Sequence, residues 1–189
     1  MPVPDSGVPA AIGFSQESGI PFELGIIRSH YVGRTFIQPS ANGRTTGVKM
    51  KHNANSALIK GKRIVLVDDS IVRGTTSLKI VQMMRDAGAS EVHMRIASPP
   101  TRHSCFYGVD TPERSKLLAA QMDVAAMAEH IHADSLAFIS IDGLYRAMGD
   151  VRDARQPQRC DACFTGDYPT TLTDMNEDGH PRLALVASR

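Results

Sequence analysis

The chain has 189 residues, with 21 Lys and Arg against 20 Asp and Glu, so its formal net charge is +1. The length suits one domain with a substantial core, and the balanced charge gives no support for a nucleic-acid partner. Because no apolar run approaches the ~18 residues of a membrane span and the N-terminus has no signal-peptide pattern, we expect no membrane partner and a cytoplasmic location.

The predicted elements start with a helix that has Pro9 in its first turn and Gly19 at its end. Residues 21–27 predict a strand. The basic, glycine-bearing stretch 28–55 then has little periodicity, and a stretch of that length inside a compact domain is usually a functional lid or disordered.

The middle of the chain predicts a strand over 62–67, a helix over 75–87 and a strand over 91–97. Strand, helix and strand at this spacing form a βαβ unit, so we expect an α/β fold with a parallel sheet and a right-handed crossover. Ligands of such sheets lie beyond the carboxyl ends of the strands.

Less regular patterns follow. They predict helices over 112–120 and 123–131, a strand over 135–141 and a helix over 142–148. Residues 1–149 are therefore expected to form one domain, and 150–189 a C-terminal segment with cysteines and a frayed tail.

The strongest motif joins the strand over 62–67 to the helix after it. Asp68 and Asp69 end the strand, and neighbouring carboxylates there suit vicinal hydroxyls or Mg²⁺. Arg73 to Ser77 then supplies a glycine, hydroxyls, backbone N–H groups and a helix N-terminus, which together suit a phosphate. The combination predicts a sugar-phosphate site.

The motif could also have only a structural role, with a solvated Asp-Asp turn and a simple helix cap at Thr75 to Ser77. Two other acidic or phosphate sites fit less well. A receiver-domain pocket has strand-end aspartates but no phosphate turn, and a nucleotide P-loop needs a Gly-Lys-Ser/Thr sequence that is missing here.

Residues 67–76 resemble the phosphoribosylpyrophosphate (PRPP) motif of phosphoribosyltransferases, and among these they most resemble the amidophosphoribosyltransferase family. Further segments that resemble this family are 2–7, 31–39, 49–53, 107–112, 133–136, 142–144 and 163–166. The resemblance implies a type I phosphoribosyltransferase-like parallel sheet flanked by helices. It also implies the first step of purine biosynthesis, in which PRPP and ammonia give 5-phosphoribosylamine and pyrophosphate.

The resemblance also implies roles for single residues. Asp68 and Asp69 would bind the ribose and the Mg²⁺-pyrophosphate group, and Ser6, in an early Pro-Asp-Ser-Gly loop, would lie beside the Mg²⁺. The implied 5′-phosphate loop consists of Ser70, Ile71, Val72, Arg73, Gly74, Thr75, Thr76 and Ser77. Without the resemblance, Ser6 would be interpreted as the N-cap of the first helix.

The basic stretch 28–51 resembles the family's flexible loop, which closes over PRPP and excludes water. Arg34 and Lys51 are then candidate catalytic residues that contact the pyrophosphate, alongside Asp68 and Asp69. The alternative for both cations is an ordinary solvated loop position.

Three cysteines in a chain without an export signal argue against a disulfide scaffold. The spacing of Cys160 and Cys163 suits zinc, an iron–sulfur cluster or redox chemistry, and spacing alone favours zinc with Cys105 and His103. Ordinary cytosolic cysteines are the alternative. Resemblance to one branch of the family implies instead a [4Fe–4S] cluster on Cys105, Cys160 and Cys163, whose fourth ligand precedes the Pro-Asp-Ser-Gly loop and is absent from this chain.

The family begins with a glutaminase domain whose N-terminal cysteine releases ammonia from glutamine. This chain has no cysteine before Cys105, and the first strand of the transferase sheet, before Pro2, also has no counterpart. We therefore expect a C-terminal fragment, truncated at the N-terminal edge of its sheet, of an enzyme that is a homo-oligomer at full length.

Two further functions compete with the enzyme interpretation. Some transcription regulators use a phosphoribosyltransferase fold only to sense PRPP, although the basic surface or winged-helix domain that they carry has no counterpart in this sequence. The other alternative is an inactive fragment that binds nothing.

Overall fold

The computed structural model describes residues 1–29, 52–153 and 158–171. The strands are β1 (Ile26–Arg28), β2 (His52–Ala54), β3 (Arg63–Asp68), β4 (Glu91–Ile96) and β5 (Ser135–Phe138). The helices are α1 (Val8–Ser18), α2 (Ser56–Ile59), α3 (Thr75–Asp86), α4 (Leu118–Gln121), α5 (Val124–His130), α6 (Ile141–Ala147) and α7 (Ala162–Thr165), with a 3₁₀ turn at Arg114–Lys116.

The central sheet has the order β3-β4-β5, and both pairings are parallel. Asp68 is in register with Ile96, and Ile96 with Phe138, so the carboxyl ends of the three strands share one edge. The predicted α/β fold with a parallel sheet is therefore confirmed, and the acid pair lies at the edge where ligands of such sheets bind.

One face of the sheet forms the core. Alternate residues of β3 and β4 are buried against α3, because side chains alternate between the two faces of a strand. On α3 the buried residues Ile80, Val81 and Met84 recur at helical spacing. Each of these side chains contributes about 1.5–3 kcal/mol when it leaves water, which fixes the position of the loop between β3 and α3.

The first three residues extend this sheet beyond β3. Pro2 forms a parallel bridge with Val67, the Val3 N–H donates to the Val67 carbonyl at 2.8 Å, and the Val67 N–H donates to the Met1 carbonyl at 2.9 Å. The sequence predicted no strand at this edge. Residues 1–3 form a single bridge and no strand, and such pairing with β3 needs no apolar alternation in so short a segment.

A short antiparallel hairpin of β1 and β2 lies beside the sheet, with Arg28 opposite His52. The predicted strand over 21–27 is mostly not a strand, since only 26–28 find a pairing partner in β2. The stretch predicted as a lid leaves this hairpin, and residues 30–51 lie outside the described ranges.

The elements after β4 are shorter than predicted. The helix predicted over 112–120 is a 3₁₀ turn followed by α4, while α5 confirms the helix predicted over 123–131. The last predicted strand stops at Phe138 because Ser140 caps α6, its hydroxyl accepting the Gly143 N–H at 3.0 Å. Among the described residues, no helix has the length and apolar character that crossing a membrane requires.

Candidate active site

Asp68 and Asp69 end the central strand in different surroundings. Asp68 is only 6% exposed, whereas the next residue, Asp69, is exposed. The Asp69 N–H donates to Oδ1 of Asp68 at 2.9 Å, and the Asp68 carbonyl accepts the Ala97 N–H at 2.9 Å. The strand therefore delivers two neighbouring carboxyl groups to the edge, one buried and one facing solvent.

The pair does not ionise fully at neutral pH. Burial raises the pKa of Asp68 to about 8, and the neighbouring charge and side-chain hydrogen bond of Asp69 act in the same direction, with only the Asp69 N–H opposing them. The Asp68 carboxyl therefore favours its protonated form when no cation is near. A bound cation or a hydroxyl donor would replace that proton.

The backbone of the turn after the acid pair packs closely against neighbouring residues. Ile71 is buried and anchors the turn, and the Val72 carbonyl accepts the Leu118 N–H at 2.8 Å. Gly74 has φ +77°, and a Cβ there would lie 2.7 Å from Cδ2 of Leu118. Only glycine fits this conformation without strain.

Helix α3 begins directly after Gly74. The Leu78 N–H donates to the Gly74 carbonyl at 2.9 Å, Thr75 and Thr76 are exposed in the first turn, and Ser77 is buried. The first N–H groups of a helix have no partner within it, and the helix dipole favours negative charge there. The turn thus presents donors and hydroxyls to an anion.

The Pro-Asp-Ser-Gly loop lies against the end of the same strand. A Cβ on Gly7 would be 2.4 Å from the Val67 carbonyl oxygen and 2.7 Å from that of Val3, so glycine allows the contact. Ser6 is exposed in this loop. The N-cap of α1 is Gly7, without a side-chain capping bond, so the N-cap interpretation of Ser6 was wrong.

The hairpin of β1 and β2 contacts this loop from the other side. Arg28 forms an ion pair with Asp5, and Nε2 of His52 lies 3.3 Å from the Pro4 carbonyl oxygen. Arg34 and Lys51, the predicted pyrophosphate contacts, lie outside the described residues. The described residues that flank this stretch, Arg28 and His52, therefore contact the Pro-Asp-Ser-Gly loop.

Ser98 is a candidate that sequence reasoning missed. It follows β4 at the carboxyl edge, and its Oγ is buried with no hydrogen-bond partner among the described residues. Such groups are rare in native proteins and need an explanation, such as a ligand or a water. The available signal was the Ser-Pro-Pro sequence that stops β4 beside Asp68.

The comparisons with known proteins agree with this geometry. The family model for the phosphoribosyl transferase domain matches residues 2–105, which include the sheet edge and both loops. This match covers more than half of the chain.

The chain belongs to the phosphoribosyl transferase domain family. It is 64% identical to an amidophosphoribosyltransferase of Rhizobium etli, over all of the chain but 38% of that protein. It is 52% identical to the Bacillus subtilis amidophosphoribosyltransferase, over 97% of the chain and 39% of that protein.

A solved structure gives the same result. The glutamine PRPP amidotransferase of B. subtilis, in complex with ADP and GMP, superimposes on this chain with a TM-score of 0.81 and 50% sequence identity. The match covers 94% of this chain and 39% of the chain in that structure. This phosphoribosyltransferase chain therefore spans about two fifths of the length of the relatives that it matches.

The three cysteines of this phosphoribosyltransferase chain lie outside its sheet. Burial raises the pKa of the Cys163 thiol, and the neighbouring Cys105 and Cys160 raise it further. The same cysteines, 163 and 105, help to raise the pKa of Tyr168. The fold thus brings together thiols that are 55 residues apart in the sequence.

The zinc hypothesis from spacing is not supported. Within 1–29, 52–153 and 158–171, no three His, Cys, Asp or Glu side chains are arranged to hold a metal ion. His103 instead packs its ring on Gly166, where a Cβ would lie 2.9 Å from Cε1.

Proposed function

We propose that the chain is the PRPP-binding part of an amidophosphoribosyltransferase. The observation that carries this proposal is the edge of the sheet where Asp68 and Asp69, the Gly74 turn and the Pro-Asp-Ser-Gly loop meet. Carboxylates at one end and helix N–H groups at the other match a ribose 5-phosphate. The high identity to amidophosphoribosyltransferases supports the choice within the family.

The acid pair fits both ribose hydroxyls and Mg²⁺. Burial, and then the neighbouring Asp69, raise the pKa of Asp68, and a bound cation would oppose both effects by stabilising the ionised form. Mg²⁺ binds through one or two carboxylates and waters, and Ser6 in the neighbouring loop would complete this side of the site. When bound, Mg²⁺ would neutralise charge on the departing pyrophosphate.

The other residues position the sugar for displacement at its C1 atom. Ser70 through Ser77 hold the 5′-phosphate through N–H groups and hydroxyls, and Asp68 and Asp69 fix the ribose hydroxyls. Arg34 and Lys51 contact the pyrophosphate in this proposal. Ammonia forms the new C1–N bond from the opposite face while the C1–O bond to pyrophosphate breaks, so no protein nucleophile is needed and positioning supplies the rate.

Calorimetric titration of the chain with PRPP, with and without Mg²⁺, tests the proposal. We expect binding that needs Mg²⁺ and that weakens by about a hundredfold in the double variant Asp68→Asn and Asp69→Asn, because two charge-assisted contacts are lost. Asp142→Asn, at an exposed site in the first turn of α6, is the control and should bind like the wild type.

Three outcomes separate the alternatives. Binding followed by ammonia-dependent release of pyrophosphate supports the enzyme. Binding without turnover supports a PRPP-sensing module if it is found both in this chain and in a version that is as long as the matched relatives. No binding by a folded chain, or equal binding by the double variant, contradicts the proposed site.

The remaining proposals concern the longer protein. Residues 1–149 would form the transferase domain and 150–189 a C-terminal segment. A glutaminase domain would supply ammonia from glutamine, and the full-length enzyme would be a homo-oligomer. A cytoplasmic location also stays a prediction.

We further propose that Cys105, Cys160 and Cys163 bind three irons of a [4Fe–4S] cluster. The backbone contacts between Cys163 and the segment that carries Cys105 support this, together with the effect of Cys105 and Cys160 on the pKa of Cys163, because bound iron would replace the thiol protons. The experiment is anaerobic reconstitution with iron and sulfide, followed by iron and sulfide analysis and electron paramagnetic resonance. A product that is equally formed by Cys163→Ser would contradict the assignment.

A further inference from the structure

Asp161 lies between the two cysteines of the Cys-Asp-Ala-Cys turn, and its side chain is buried. Only 6% of the residue is exposed, although carboxylates are rarely buried without partners. Oδ2 accepts Arg152 Nε at 2.7 Å and the Tyr145 hydroxyl at 3.2 Å, while Oδ1 lies 3.2 Å from the Thr165 hydroxyl. One carboxylate thus joins the cysteine turn to α6 and to the segment after it.

A second set of contacts joins the opposite side of the turn to the segment that carries Cys105. The Cys163 carbonyl accepts the N–H groups of Arg102 and His103, at 2.9 and 3.0 Å. The Tyr168 hydroxyl donates to the Ser104 carbonyl at 2.7 Å. These bonds fix the turn on one side only, so its orientation also depends on what holds Asp161.

We propose that Asp161 is the positioning residue of the cysteine group. Its buried carboxylate fastens the turn to Arg152 and Tyr145, and this sets the direction in which Cys163 faces Cys105. The inference rests on the cysteine grouping proposed above, and it is independent of the phosphoribosyl site. The neutral Asn side chain has nearly the same shape but loses the charge-assisted bond to Arg152.

The neighbouring acid provides a matched comparison. Asp150 forms an ion pair with Arg159 in the same part of the chain, with Nη2 and Oδ2 2.6 Å apart. No contact of Asp150 reaches the cysteine turn in the described part of the chain, and the Arg159 side chain is half exposed. Replacing Asp150 therefore removes a carboxylate–arginine pair next to the turn and leaves the contacts of Asp161 with Arg152 and Tyr145 in place.

The test is cross-linking of the native cysteines in the metal-free, reduced chain by a short bifunctional methanethiosulfonate, with the bridged pairs identified by mass spectrometry. In the wild type we expect a Cys105–Cys163 bridge. After the reagent has modified one of these two thiols, its free end should react with the other thiol, and this second step should be faster than the reaction of that thiol with another reagent molecule. In Asp161→Asn that step should slow by about tenfold, with more bridging between Cys160 and Cys163. Asp150→Asn should match the wild type, and Asp161→Glu should recover part of the rate.

Circular dichroism and urea unfolding accompany the cross-linking, so that loss of structure is separated from loss of orientation. To allow for a variant that unfolds, Arg152→Gln removes the same bond from the other side and should show the same slowing. A wild type without the Cys105–Cys163 bridge overturns the proposal. So does Asp161→Asn, or a folded Arg152→Gln, with an unchanged bridging rate. PRPP binding is measured in parallel, and it should stay unchanged in all variants, which separates this inference from the proposed function.

Discussion

The edge of the sheet and the cysteine group are built in opposite ways. The acid pair and phosphate turn come from ten consecutive residues, 68–77, set between a buried strand and a buried helix. The cysteine group comes from segments 55 residues apart, joined by a few hydrogen bonds to short elements. A site of the first kind is positioned by the core, whereas a site of the second kind depends on individual polar contacts.

This difference determines which substitutions should damage each region. At the sheet edge, substitution of a glycine should be the most damaging change, because the glycines allow the loops to pack directly against the strand. At the cysteine group, buried polar partners and one tight glycine turn carry the geometry. Four comparisons between variants test this contrast.

Gly7→Ala should lower the free energy of unfolding by about 3 kcal/mol, because its Cβ would lie 2.4 Å from a backbone oxygen that cannot move aside. Urea unfolding followed by circular dichroism measures this. The control is Gly13→Ala inside helix α1, which follows Gly7; a Cβ there meets nothing within 4 Å, and the substitution should add about 0.5–1 kcal/mol of stability. Similar values for both variants would show that the loop is not tightly packed on β3.

Gly166→Ala should cost about 2 kcal/mol in the same measurement. The residue has φ +85°, and the new Cβ would lie 2.9 Å from the ring of His103. Gly149→Ala has a similar φ of +77° with open space around it, so it should cost only about 1 kcal/mol. An equal loss of unfolding free energy in the two variants would show that the His103 contact does not affect the cysteine turn.

Asp68 should make stability depend on pH. Its pKa is raised in the folded protein, so the folded state binds the proton more tightly than the unfolded state does. The stabilisation by the protonated Asp68 carboxyl is complete below its pKa in the unfolded state, which is about 4. It is lost as the pH rises to about 8, the pKa of Asp68 in the folded state. We therefore expect the free energy of unfolding to fall between pH 5 and pH 8.

The measurement is urea unfolding at both pH values, with Asp68→Asn compared with the wild type. Asp68→Asn should remove most of the fall, whereas Asp142→Asn should retain it. A stability that rises over this range through Asp68 would mean that the acid pair is ionised in the free protein.

Asp150→Asn should change the free energy of unfolding by less than about 0.5 kcal/mol, since ion pairs at the protein surface contribute little. Asp161→Asn breaks a buried pair in the same segment and should cost about 2 kcal/mol or more. Equal effects of the two substitutions would contradict the importance of burial in this region.

Much of the central fold could be predicted because its signals are local. Four apolar residues before Asp68 indicate a buried strand, and the spacing of Ile80, Val81 and Met84 indicates a helix packed on it. The prediction failed where pairing partners decide the structure. Residues 21–25 were predicted as part of a strand but pair with no strand in the described part of the chain, and Met1 to Val3 pair with β3 without a strand-like pattern.

The amino-acid sequence by itself determined the order of strand, acid pair, glycine turn and helix, because a contiguous motif carries its own geometry. Only the tertiary structure decided that Asp68 is buried and has a raised pKa, that Ser98 Oγ has no partner among the described residues, and that Asp161 joins the cysteine turn to Arg152. These properties depend on which distant groups exclude water or supply a partner, and residue order alone does not record those neighbours.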